Sequence, residues 1–318
     1  MGNVGYAFSC EEIGPNSLVE YAKRAEDNGF SFGFISDHFH PWTRRQAQSA
    51  FVWNVIGAIS RETKNFVLAT GVTCPLIRYH PAIVAQAAAT SAAMMPGRFM
   101  LGPGTGENLN EHITGARWPG TDERLGMLEE AIEVIRLLWQ GDNRNYHGKY
   151  YHVQDAQIFT LPDQLPPILI ASSAEGSARL AGRLGDGLVS TQPLEEIVQT
   201  FNEAGGAGKP KYGQLTVCWA NTEEEAKTIA LDWWPNAALS GDLTIELPSP
   251  YHFEQACKLV DEEKVAQTVI CGPDSQKHIQ AIRKYFDAGF THVYVHQVGD
   301  NQQGFMEFYR REVLPEFV

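Results

Sequence analysis

Phe32-Gly33-Phe34-Ile35-Ser36-Asp37 runs without a break into His38-Phe39-His40-Pro41-Trp42. An aromatic, β-branched run of this length predicts a strand buried on both faces. The abrupt change to ionisable and ring-bearing residues at its end predicts that the strand delivers chemistry from its C-terminus. Working outward, comparable runs recur at Val4–Ser9, Phe66–Val72, Phe99–Gly104, Pro167–Ser172, Gly187–Thr191, Leu215–Ala220 and His292–Gln297. With Phe32–Asp37 they make eight. Helical patterns lie between them: Asn16–Gly29 with its Asn-Gly stop, Asp122–Gln140 with leucines and isoleucines at helical spacing, and Gly272–Gly289 behind a Pro-Asp cap. Strands alternating with helices predict βα units and a parallel sheet, and eight units predict a (β/α)8 TIM barrel.

Two stretches break the alternation. His147–Leu165 reads as a hairpin excursion before the fifth strand, and Asn221–Cys271 as an insertion between the seventh strand and its helix. An addition after a barrel strand sits on the C-terminal face, where ligands bind. The glycine-rich run from Ala204 to Pro210 is short enough for a loop, so residues 1–318 are expected to form one domain with an insertion at about 221–271.

Composition narrows the function. The chain has 318 residues, 43% hydrophobic and 20% charged, as in an ordinary globular enzyme. No apolar run approaches the roughly 18 residues that span a bilayer, and no secretory leader is visible at the N-terminus. The net charge of −13 disfavours nonspecific binding to nucleic acid or an anionic membrane. Five dispersed cysteines without a CxxC pair predict neither a disulfide framework nor a zinc site, and fit a reducing cytoplasm.

Chemistry concentrates at the strand ends. After the second strand, His38 can act as acid or base near neutral pH, Asp37 can bind a cofactor hydroxyl or ring nitrogen, and Trp42 offers a flat wall. Gly102-Pro103-Gly104-Thr105-Gly106-Glu107-Asn108-Leu109-Asn110 follows the fourth strand; its glycines allow close backbone approach and Glu107 can exchange a proton. It lacks the Gly-Lys-Ser/Thr ending of a phosphate loop. Ala171-Ser172-Ser173-Ala174-Glu175-Gly176-Ser177 joins the fifth strand to a helix start that suits an anion. Thr70-Gly71-Val72-Thr73-Cys74 ends the third strand, and Cys74 is read as lining the site because no base neighbours it in sequence. Glu11, just past the first strand, joins the same rim. With no metal-ligand spacing, organic-cofactor redox chemistry is the class these residues suit.

These motifs resemble those of the F420-dependent branch of the luciferase-like superfamily, which includes glucose-6-phosphate and secondary alcohol dehydrogenases. The resemblance rests on Ser36–Trp42, on Arg78-Tyr79-His80-Pro81, on Gly104-Thr105-Gly106-Glu107, on Gly148-Lys149-Tyr150-Tyr151 and on Ala181–Gly187. It implies a barrel holding coenzyme F420, a deazaflavin, at its C-terminal face, and hydride transfer to or from a hydroxyl- or carbonyl-bearing substrate. By resemblance Asp37 lies against the deazaflavin, His38 and Glu107 form the proton-transfer pair, Trp42 walls the reacting centre, and Glu11 orients His38. Val72 follows a non-proline cis peptide formed with Gly71. Thr105, Gly106 and Asn110, with Cys74, match cofactor contacts, and Ser173, Ala174, Gly176 and Ser177 match the cofactor phosphate site. A homodimer is the family habit.

Departures from the pattern point to the substrate. Where sugar-phosphate dehydrogenases of this group carry two lysines and an arginine, local alignment places Leu194, Gln255 and Gln267, with Thr191 nearby. Alignment near Gln255 is loose, and a slip would bring Lys258 or Lys264 there. A buried phosphate without cations is costly, so an unphosphorylated alcohol, sugar or ketone is expected. The alternatives are a sugar-6-phosphate dehydrogenase, an FMN-dependent luciferase-like monooxygenase, a reductase of activated C=C bonds, or a noncatalytic binding barrel.

Overall fold

The computed structural model describes residues 3–317. In chain order the strands are β1 (Val4–Phe8), β2 (Phe32–Ile35), β3 (Val67–Thr70), β4 (Phe99–Met100), β5 (Arg144–His147), β6 (His152–Ala156), β7 (Leu169–Ala171), β8 (Gly187–Ser190), β9 (Lys211–Cys218), β10 (Ile270–Cys271) and β11 (His292–Gln297). Eight pair in parallel in the order β4-β3-β2-β1-β11-β9-β8-β7. A parallel bridge between Leu101 and Ile168 brings the two ends of that path together, giving a nearly closed barrel. The expected (β/α)8 architecture is therefore present.

Helices on the outside begin and end where local chemistry dictates. Pro15 opens helix Pro15–Asp27, and Gly29 takes a positive φ of 94° just beyond it. Asp274 caps helix Ser275–Asp287 by accepting from the Gln276 amide at 3.0 Å. Inside the barrel, Phe32, Phe34, Tyr212 and Tyr294 form an aromatic layer, with Phe34 and Tyr294 stacked at 4.1 Å. Full burial of such a ring contributes roughly 1.5–3 kcal/mol. Phe34 and Tyr294 of this layer form part of the floor of a cavity at the C-terminal ends.

Many strand ends shift by one or two residues from the sequence expectation, and the larger differences are at β9, the fourth strand and the hairpin. β9 starts at Lys211 rather than Leu215. Lys211 disguises the strand, yet its ammonium turns back to donate to the Lys209 carbonyl at 3.1 Å. The fourth strand contracts to Phe99–Met100 and continues only as bridges at Leu101 and Pro103, because Pro103 has no N–H for a ladder. The hairpin is Arg144–His147 against His152–Ala156, earlier than His147–Leu165. Its turn is held by Glu130, whose carboxylate accepts from the amides of Lys149, Tyr150 and Tyr151 at 2.7, 2.8 and 3.2 Å. The stretch after β9 folds into short helices and returns through β10, which pairs with the end of β9.

Candidate active site

A cavity of about 340 Å³ opens at the C-terminal ends of the strands. Glu11 reaches it from beyond β1, His38 and Trp42 from beyond β2, Gly71 and Val72 from beyond β3, and Thr105, Gly106 and Glu107 from beyond β4. These eight candidates, far apart in the sequence, thus share one chamber. The peptide between Gly71 and Val72 is cis. Glycine at 104 lets the loop lie close against Val72: a Cβ there would be 2.6 Å from the Val72 side chain, which would have to move.

Glu11 and His38 form a carboxylate–imidazole pair. Ser9 and Ser36 both donate to Glu11 Oε2 at 2.8 Å, fixing a carboxylate that is only 2% exposed. Its other oxygen, Oε1, makes no formal hydrogen bond and lies 3.3 Å from His38 Nδ1. The His40 carbonyl is also 3.3 Å from Nδ1. Two acceptors at Nδ1 favour the ring proton on that side and leave Nε2 bare as an acceptor. Trp42 stands 5.0 Å from the imidazole, centroid to centroid, and is braced edge-on by Phe253 at 5.1 Å.

Asp37, Cys74 and Asn110 do not line the cavity. The Asp37 carboxylate accepts from Thr73 Oγ1 at 2.8 Å and from Arg78 Nη2 at 3.0 Å, so its charge is already engaged within the protein. Cys74 packs beneath the glycine loop, where a Cβ on Gly106 would meet its sulfur at 2.6 Å. Burial pushes this thiol well above its usual pKa, which keeps it protonated and inert. Asn110 ties two loops together: Oδ1 accepts from the amides of Phe39 and His40 at 2.9 and 3.1 Å, and Nδ2 donates to Glu107 Oε2 at 3.3 Å. All three support the wall from behind.

The cavity also meets the start of helix Glu175–Leu184. Ser173 and Ser177 face it, whereas Ala174 and Gly176 lie beside it without entering the wall. Alanine at the N-cap has no side-chain acceptor, so no side chain caps the first-turn N–H groups, and Ser177 Oγ accepts only from the Ala174 amide at 3.4 Å. An anionic group is the partner such an end suits.

The family described as luciferase-like monooxygenase matches residues 5–292. The chain belongs to this family. Among luciferase-like relatives, the F420-dependent glucose-6-phosphate dehydrogenase of Microbacterium testaceum is 36% identical over 98% of this chain and 96% of its own length. The enzyme of the same name from Nakamurella multipartita is 34% identical over 98% and 95%. An F420-dependent secondary alcohol dehydrogenase, solved with an F420–acetone adduct, superposes with a TM-score of 0.92 at 28% identity, covering 100% of this chain and 99% of that one.

Sequence reasoning was least successful at the substrate side of this luciferase-like barrel. Thr191 lines the cavity, but Leu194, Gln255 and Gln267 do not. Leu194 caps helix Glu195–Phe201, Gln255 accepts from Lys258 Nζ at 2.7 Å, and Gln267 is exposed. Lys258 and Lys264 stay outside as well. The stretch after β9 contributes Trp234, Thr244 and Ile245 instead. It is anchored across the mouth: Gln46 Nε2 donates to the Trp233 carbonyl at 2.9 Å, and Asn108 Nδ2 to the Glu246 carbonyl at 3.0 Å. His296 was also missed. The alternation along β11 carries the signal, since Tyr294 and His296 point to one face of the strand and both line the cavity.

Proposed function

We propose that this protein is a coenzyme F420-dependent oxidoreductase that transfers a hydride between the deazaflavin and a hydroxyl or carbonyl substrate, preferentially an unphosphorylated alcohol, sugar or ketone. The cofactor half is supported by the F420-dependent activities for which the relatives are named. The cavity suits it: the wall at Gly71 and Val72 offers a face for a flat ring, and the uncapped helix start beside Ser173 and Ser177 offers donors for a phosphate. The substrate half is carried by one observation: among the described residues lining the cavity there is no lysine or arginine. A phosphorylated sugar would lose its phosphate hydration without a cation in return.

When bound, the deazaflavin supplies a two-electron hydride acceptor or donor. His38 is the base in the oxidative direction, taking the hydroxyl proton on the bare Nε2 while Glu11 balances the charge that develops on the ring. Glu107, which accepts a hydrogen bond from Asn110 Nδ2, would be the acid that gives up the one proton the cofactor takes with the hydride. Trp42 and Trp234 exclude water from the reacting centre.

Titrating the apo-protein with F420, FMN and NADP, followed by fluorescence, tests this reading. F420 is expected to bind alone, and F420-coupled oxidation is expected with 2-propanol or glucose but not selectively with glucose 6-phosphate. Selective binding of FMN would overturn it.

Two further parts of the proposal concern assembly and place. The enzyme works as a homodimer in the cytoplasm. A groove of about 300 Å³ between helices Val52–Glu62 and Pro81–Met94 is lined mainly by apolar residues, with Phe51, Ile83 and Met94 54%, 57% and 43% exposed. Such a patch suits a second copy of the chain. The five cysteines are all free, and no helix among the described residues is long and apolar enough to cross a membrane. Sedimentation should give twice the 35.3 kDa chain mass, and Ile83→Glu should halve it. A wild-type monomer at micromolar concentration would refute the dimer.

A further inference from the structure

The Glu11-Glu12 doublet holds two imidazoles, one with each carboxylate. Glu12 Oε2 lies 2.7 Å from His296 Nε2, and Glu12 Oε1 accepts from the Gly299 amide at 3.0 Å. A carboxylate so placed makes Nε2 the protonated nitrogen and leaves Nδ1 as a bare acceptor. Nδ1 has no hydrogen-bond partner, although His296 is only 2% exposed. The ring lines the cavity, with Trp234 edge-on at 4.4 Å, while Glu12 stands behind it. A buried polar atom left without a partner on a cavity wall calls for one that arrives with the ligand.

That partner must be a hydrogen-bond donor, and the surrounding wall says of which kind. Ser9, Ser190, Thr191, Gln214 and Thr244 line the same chamber as Trp42 and Trp234, with no lysine or arginine among them. Side-chain hydroxyls and an amide in a chamber that two indoles also line suit a neutral molecule that carries hydroxyl groups on a carbon skeleton. We propose that His296 Nδ1 accepts a hydrogen bond from a second substrate hydroxyl, one that is not oxidised, so that the substrate is a neutral diol, polyol or sugar. Glu12 is the positioning residue that sets the tautomer. This assignment rests on the dehydrogenase reading for its chemistry, but the subsite exists whether or not turnover follows.

Two measurements test it. In the F420-loaded enzyme, kcat/KM is compared for xylitol, glucose and 2-propanol, in wild type, His296→Phe and Glu12→Gln. The polyol-to-2-propanol ratio should fall at least about tenfold in His296→Phe, the scale of one lost hydrogen bond. Glu12→Gln should lower it too, because the amide oxygen keeps the Gly299 N–H and its NH2 group then forces the ring proton onto Nδ1. An unchanged ratio in both variants overturns the proposal. The second measurement needs no variant and no turnover: in wild-type protein labelled with [15N]histidine, His296 should show the Nε2–H tautomer, and xylitol should shift the Nδ1 resonance. A resonance unmoved by xylitol, glucose and glycerol overturns the subsite even if F420-linked oxidation of 2-propanol is observed. A shifted resonance in an enzyme that oxidises no alcohol keeps the subsite and removes the dehydrogenase reading.

Discussion

Replacing His38 with alanine should lower kcat for alcohol oxidation by roughly 10²–10⁴-fold, the usual contribution of a positioned general base, while F420 affinity changes little. The distinction follows from geometry. His38 stands at the cavity beside Trp42, with Nδ1 facing Glu11 and the His40 carbonyl at 3.3 Å, so Nε2 is the nitrogen free to meet a hydroxyl. The groups suited to hold the cofactor lie elsewhere, at Gly71–Val72 and at the helix start by Ser173 and Ser177. Glu11→Gln should cost less, because the ring remains but the charge it acquires is no longer balanced; a changed pH profile with F420 binding retained would mark Glu11 as a positioning residue. Stopped-flow decay of F420 absorbance under single-turnover conditions measures the step directly. Wild-type turnover in His38→Ala would remove His38 from the chemistry, and an equal loss of F420 affinity would make it a cofactor contact instead.

The barrel was legible because parallel strands buried on both faces read as nearly continuous apolar runs, and each run ends where the polar chemistry begins. Glu11, His38, Trp42 and Glu107 could be picked out for the same reason: they follow strand ends, and every strand end of a barrel opens on one chamber. What the sequence hid are contacts between loops far apart in the chain. Asp37 reads as an acid available to a cofactor, yet its charge is taken up by Arg78, 41 residues away in the chain and beyond β3. Asn110 reads as a cofactor contact in a glycine loop, while its side chain is engaged by the amides of Phe39 and His40. Gln255 and Gln267 failed for a different reason. The stretch after β9 has several short helices and no strand to fix register before β10, so an ungapped alignment slides freely there. The residues that reach the cavity, Trp234, Thr244 and Ile245, come from the part of the insertion folded back over the mouth.

The arginine behind the wall should matter more for stability than any residue in it. Arg78 is 6% exposed at its side chain, with Nη2 at 3.0 Å from Asp37 Oδ1 and 2.8 Å from the Asp37 carbonyl, and Nε 3.4 Å from Glu111 Oε1. Burial alone would lower its pKa, but Asp37 and Glu111 more than reverse this and hold the guanidinium charged. Burial pushes the Glu111 carboxyl above its ordinary range, and Arg78 offsets that only in part. Arg78→Met would leave two buried carboxylates facing each other without a cation, and should destabilise the fold by roughly 3–5 kcal/mol. Arg78→Lys should recover little, since one ammonium cannot reproduce a planar fork that reaches both acids. The loss should also depend on pH. A carboxyl with a raised folded-state pKa loses stability as pH rises from its ordinary value of about 4.5 through its folded value, and removing Arg78, which pulls Glu111 down, raises that folded value further in the variant than in wild type. Urea unfolding of wild type and variant between about pH 5 and 8 should therefore show a gap that widens with pH. A gap below about 1 kcal/mol, the range of exposed ion pairs, would show that the Asp37–Arg78–Glu111 cluster does not anchor the His38 loop to the barrel.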